Sequence, residues 1–154
     1  METGVLSQLT FKGTENYRAS WSRDGQTVTF LSTRAGANAV WTKRADLSET
    51  AQLVLNRDDV INEAFYSPDG TYLIFRQGAI NGGLGDIYAI RGGEDTLALA
   101  ATESIEHSPA LSPNGRWLAY VSNRSGREEV YVRSFPDAGT ALQLVSSNGG
   151  VDPV

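Results

Sequence analysis

The chain has 154 residues, 40% of them hydrophobic and 20% charged, with a formal net charge of -5 and no cysteine. The hydrophobic share places it among globular proteins, and the missing cysteine removes disulfides, thiolate metal sites and cysteine nucleophiles. An acidic balance with scattered basic residues argues against a nucleic-acid binder, which must neutralise phosphates.

Residues Met1–Leu6 lack the basic start and apolar core of a signal peptide. No apolar run reaches the roughly eighteen residues of a membrane span. The chain therefore reads as a soluble segment with no membrane contact. Val5–Thr10 reads as an outermost strand, and Asn16-Tyr17-Arg18 then opens an inner one. The turn Ser22-Arg23-Asp24-Gly25 leads into the apolar run Val28–Leu31, followed by Ala39-Val40-Trp41-Thr42 and Ala51–Leu55.

This order repeats. Ile61-Asn62-Glu63 precedes the turn Ser67-Pro68-Asp69-Gly70, the run Tyr72–Phe75, the pair Ile87-Tyr88 and the run Thr96–Ala100. Glu106-His107-Ser108 precedes Ser112-Pro113-Asn114-Gly115, then Trp117–Val121, Val130-Tyr131 and Ala141–Val145. The turn glycines 25, 70 and 115 are 45 and 45 residues apart. That period is the length of a four-stranded propeller blade, roughly 40–45 residues.

Pro presets the early turn dihedral, Asp or Asn bonds locally, and Gly accepts positive φ, so each motif closes a hairpin. The apolar runs alternate poorly, as strands do when neighbouring sheets cover both faces. Asp95–Glu106 is rich in helix formers, but its counterparts in the other repeats are strand-like, so a strand is expected there.

The Ser-Pro-Asp-Gly of Ser67–Gly70 and the stretch Ser108–Gly126 resemble the WD-like β-propeller repeats found in TolB, in prolyl oligopeptidase-type peptidases and in bacterial kinase sensor regions. The resemblance covers about Leu9 to Val154, with Arg23 in place of Pro and Asn114 in place of Asp as its departures. The run Glu129–Pro136 is similar to propellers that follow membrane-anchored serine/threonine kinases, although no kinase motif occurs. The resemblance implies an all-β propeller with three four-stranded antiparallel blades per chain, half of a six-bladed TolB-like ring. It also implies a family often found in the periplasm or outside the cytoplasm.

The expected segments are 1–15 (outer strand and lead-in), 16–55, 56–101 and 102–146 (blades one to three), and 147–154 (approach to a further blade). Three blades cannot close a ring, since propellers typically carry four to eight. Two bare sheet faces exceed what a soluble monomer usually shows. A homodimer of three plus three blades is the expected assembly, with a longer array as the alternative.

The inner strands begin near the channel, so the polar residues Asn16, Tyr17, Arg18, Asn62, Glu63, Glu106 and His107 are the candidate ligand-binding set at its mouth. No catalytic residue is expected. His107 is the only histidine and has no partner constellation, and no Gly-x-Ser-x-Gly elbow occurs. Asp58, Asp59 and Glu63 form a loose acidic group whose spacing does not match a calcium loop, so no metal or cofactor is expected.

Asn81–Gly85 reads as a glycine-rich hairpin, and Arg34 and Arg124 read as solvated turn residues. The function expected is non-catalytic binding or scaffolding of a protein, peptide or small polar ligand. The alternative is an accessory propeller of a hydrolase or receptor kinase.

Overall fold

A computed structural model of the chain describes residues 7–78, 85–93, 95–137, 139 and 142–153. The described residues contain strands and turns but no helix, so no helix among them is long and apolar enough to cross a membrane. The Asn81–Gly85 hairpin lies outside them except for Gly85.

Twelve strands form three sheets. Blade one is β1 (Asn16–Trp21), β2 (Thr27–Ser32), β3 (Ala39–Arg44) and β4 (Gln52–Leu55). Blade two is β5 (Ile61–Tyr66), β6 (Tyr72–Gly78), β7 (Gly85–Arg91) and β8 (Leu97–Ala100). Blade three is β9 (Glu106–Leu111), β10 (Trp117–Ser122), β11 (Glu129–Ser134) and β12 (Leu142–Leu144). Each is a sequential antiparallel meander, so Asp95–Glu106 contributes β8 and the start of β9 rather than a helix.

Each inner hairpin is closed by the same bonds. In blade two the Ser67 hydroxyl donates to Asp69 Oδ1 at 2.5 Å and accepts the Tyr72 amide at 2.9 Å, while Gly70 N donates to Ser67 O at 2.8 Å. Ser22 with Asp24 and Ser112 with Asn114 repeat the arrangement. Gly25, Gly70 and Gly115 sit at φ 68, 73 and 67, left-handed values that glycine reaches without a Cβ clash.

The paired registers give every blade a bulky leading face and a smaller trailing one. Strand pairing puts Tyr66, Leu73, Phe75 and Tyr88 on the leading face of blade two, against Leu31 and Val40 on the trailing face of blade one. The next joint repeats this with Leu111, Leu118, Tyr120 and Tyr131 against Ile74, Ile87 and Ala89. Because side chains alternate along each strand, both faces of blade two are buried, and this is why the runs alternate poorly in sequence.

Within blades one and three, a turn arginine clasps the edge of its own sheet. Arg34 lies 5.0 Å from the Phe30 ring and 4.9 Å from that of Trp41, and Arg124 lies 5.9 Å from Tyr120 and 5.2 Å from Tyr131. In blade two the cation comes from the preceding connection, with Arg57 5.2 Å from Phe75. Such a contact is worth about 0.5–2 kcal/mol. Arg34 and Arg124 thus lie in turns, as expected, and in addition lay their guanidiniums over aromatic rings of their own blades.

Candidate functional site at the channel

A β-bulge in each inner strand sets the geometry along the inner edge of the three sheets. Register shifts fall between Tyr17 and Ser20 in β1, between Ile61 and Glu63 in β5, and opposite Ala119 and Val121 in β9. A bulge re-aims the side chain beside it, and bulges are common next to functional sites. Arg18 and Ser108, 90 residues apart, have φ 53 and 50, and Asp152, 44 residues after Ser108, has φ 51. Left-handed φ at a residue with a Cβ costs of order 1 kcal/mol.

These positions converge. Arg18, Glu63, Ser108 and Asp152 line one cavity of about 280 Å³, floored by Ala19, Ala64, Pro109 and Pro153. Ser108 Oγ donates to Asp152 Oδ1 at 2.9 Å, and Glu63 faces the Arg76 guanidinium at 3.8 Å. The result is a pocket with one cation from blade one and carboxylates on either side of a hydroxyl.

The seven residues expected at the mouth divide by their place in the bulge. Arg18 and Glu63 line the cavity. Asn16 and Glu106, two residues earlier, turn back into the clasps: Asn16 Oδ1 accepts from Arg34 Nη2 at 2.9 Å, and Glu106 Oε1 pairs with Arg124 at 3.2 Å. Glu106 is 0% exposed and also accepts from Thr102 and Ser122, so it is an interior group and not a mouth residue.

The middle positions stand behind the cavity. Tyr17 packs on the blade-one trailing face with its hydroxyl bonded by Asn38, and burial, reinforced by Glu15, pushes its phenol pKa up. Asn62 donates to Gly78 O at 3.0 Å. His107 bridges Ser108 Oγ at 3.1 Å and Glu128 at 3.2 Å, so it braces the pocket from behind.

Sequence reasoning left Ser108 and Asp152 out of the mouth set. Pro153 corresponds to Pro109, so the residue before it corresponds to Ser108, and that match was available to find Asp152. The loose acidic group disperses: Asp59 accepts from Gln77 at 2.7 Å while Glu63 faces Arg76. Among the described residues no three His, Asp or Glu side chains gather as metal ligands.

Stacked four-stranded meanders around a polar axial cavity define a β-propeller array. A family model described as the TolB beta propeller domain matches residues 1–152, and the chain belongs to that family. No curated protein matches the chain in sequence. Among solved structures it is similar to a TolB-designated protein of Agrobacterium tumefaciens, with 20% identity and a TM-score of 0.71 over 87% of this chain and 50% of that one.

TolB from Acinetobacter baumannii gives 15% identity and a TM-score of 0.71 over 89% of this chain and 33% of that one. A prolyl endopeptidase gives 14% and 0.61 over 84% and 22%. The chain thus spans half the length or less of these structures, and the likeness is one of fold.

Proposed function

We propose that this propeller segment is a non-catalytic binding module that holds a small zwitterionic ligand or a peptide end in its axial cavity. The observation that carries the reading is the convergence of Arg18, Glu63 and Ser108 from successive inner strands, with Asp152 from the segment after β12, on one cavity. A guanidinium binds a carboxylate in a planar fork, and the Glu63 and Asp152 carboxylates with the Ser108 hydroxyl accept from an ammonium group. About 280 Å³ suits a ligand of amino-acid to tripeptide size. Arg18, Glu63 and Ser108 are held on hydrogen-bonded strands, which lowers the ordering cost of binding.

Chemical-shift mapping with triglycine tests this. The expected result is perturbation confined to the amides around Arg18, Glu63, Ser108 and Asp152. No shift at millimolar peptide, or shifts spread over the blade edges, contradicts it. A second reading, an accessory propeller serving a catalytic domain, is supported by the similarity to part of a prolyl endopeptidase chain. In that case the cavity is a passage, and peptides perturb the channel without saturating.

A further inference from the structure

We infer, on the reading of the cavity as an ammonium site, that a second proton on His107 and the ammonium group of the ligand exclude one another at Ser108, so that acidification releases the ligand. A chain of three hydrogen bonds runs from behind the cavity to its lining. Glu128 Oε1 meets His107 Nε2 at 3.2 Å, His107 Nδ1 meets Ser108 Oγ at 3.1 Å, and Ser108 Oγ meets Asp152 Oδ1 at 2.9 Å. Ser108 and Asp152 line the cavity, and His107 is the only histidine of the sequence.

The protons available to this chain are one short when the imidazole is neutral. A carboxylate only accepts, so Glu128 draws a proton to His107 Nε2 and leaves a lone pair on Nδ1. The single Ser108 hydroxyl proton then has two acceptors within reach, Nδ1 and Asp152 Oδ1, and serves one of them. A ligand ammonium removes the shortage. With the hydroxyl turned to Nδ1, the ammonium donates to Ser108 Oγ and to Asp152 together. When His107 takes up its second proton, Nδ1–H donates to Ser108 Oγ, the hydroxyl donates to Asp152, and the chain is complete without a ligand. The new positive charge, on the residue next to the cavity wall, also repels an ammonium. Hydrogen bonding and charge thus act in one direction, and histidine is the side chain that changes charge near neutral pH.

The surrounding charges leave this role to His107. Glu128, from the connection between β10 and β11, faces the imidazole directly, and Val121 of β10 pairs with His107 as an apolar neighbour. Asp152, Arg18 of β1 and Glu63 of β5 share the cavity with Ser108, and Arg76 of β6 faces Glu63. Glu106 is turned to Arg124, and Arg127 to Glu129. The segment that carries Asp152 is anchored separately: Gly149 N donates to Glu129 Oε1 at 3.0 Å and Gly150 N to Glu128 O at 3.2 Å. Hydrogen bonds led by that of Ser146 hold the Glu129 carboxyl below its ordinary value, so this anchor stays ionised where histidine titrates.

Calorimetric titration of the full chain with triglycine and with N-acetyl-triglycine, from about pH 7 to about pH 5.5, tests the inference. Triglycine affinity should fall by about fivefold or more across that range. N-acetyl-triglycine, which has no ammonium, should show no such fall, and His107→Gln should abolish it. A second readout needs no variant: the His107 imidazole, followed by NMR, should titrate at lower pH with triglycine bound, because linkage is reciprocal. Triglycine that binds equally well throughout, a fall that persists in His107→Gln or is shared by N-acetyl-triglycine, or an imidazole titration that triglycine does not move overturns the switch and leaves the cavity reading standing. Absence of triglycine binding at every pH overturns both.

Discussion

The Arg124 guanidinium meets the Glu106 carboxylate at 3.2 Å, and 90 residues earlier Arg34 makes the corresponding bond to Asn16 at 2.9 Å. One clasp thus holds an ion pair around a fully buried carboxylate, and the other holds a neutral amide at the surface. Blade two dispenses with the clasp, placing buried Ile61 at the Asn16 and Glu106 position.

The two clasps therefore differ in what their loss costs. Arg124→Met leaves Glu106 buried without its cation and should cost about 3 kcal/mol, the low end for a broken buried pair. Arg34→Met removes a neutral bond and should cost roughly 1 kcal/mol. Urea unfolding measures both. Adding Glu106→Gln to Arg124→Met should recover most of the loss, and a double variant no more stable than the single contradicts the charge explanation.

Asp69 ties the turn of blade two to acid stability. The Ser67 hydroxyl, followed by the Thr71 amide and hydroxyl, holds its carboxyl down to about 2. A depressed folded value stabilises above the unfolded pKa, about 3.9, and that stabilisation is lost as pH falls through the folded value. Asn114 makes the equivalent bonds in blade three without titrating. Asp69→Asn should therefore lose less stability than the parent between about pH 4 and pH 2. Parallel acid-unfolding curves contradict this.

Phe75 and Trp21 hold leading-face positions of opposite exposure, Trp21 standing 66% exposed beside buried Val28 and Phe30. Phe75 is 0% exposed and stacks on Tyr88 at 5.7 Å. Phe75→Ala should cost about 3–5 kcal/mol. Trp21→Ala should stay within about 0.5 kcal/mol of the parent. Comparable losses at both positions would mean that Trp21 has packing partners within its own chain.

Gly85 controls a cross-blade bond. A Cβ there would stand 2.7 Å from Arg76 Nε and 3.0 Å from Glu106 O, the pair joined by a 3.0 Å hydrogen bond between blades two and three. Gly85→Ala should destabilise by about 1–3 kcal/mol through overpacking. Combined with Arg76→Ala, its cost should shrink, because the displaced side chain is already gone. Full additivity contradicts the shared mechanism.

The blade period was legible in the sequence because the Ser–Asp/Asn–Gly turns are local chemistry, complete within a few residues at Ser22, Ser67 and Ser112. The phase of the inner strand was not. A one-residue slip moves a side chain to the opposite face, and the bulges displace the register just before Ser20, Glu63 and Ala110. Hence Glu106 resembled a channel residue while Ser108 points into the cavity. The turns at Arg34 and Arg124 were legible, but their ring contacts were not: only the folded blade brings the Phe30, Trp41, Tyr120 and Tyr131 rings beside them.

The central claim concerns the two signs of charge around the cavity, and calorimetric titration of triglycine, triglycinamide and N-acetyl-triglycine addresses it most directly. Binding should weaken when the peptide carboxylate is amidated and when Arg18 is replaced by Gln, with the two changes together costing little more than either alone. N-acetylation should be coupled in the same way to Glu63→Gln or Asp152→Asn. Affinities that ignore the end groups, or losses that simply add, would contradict a cavity that reads a zwitterion.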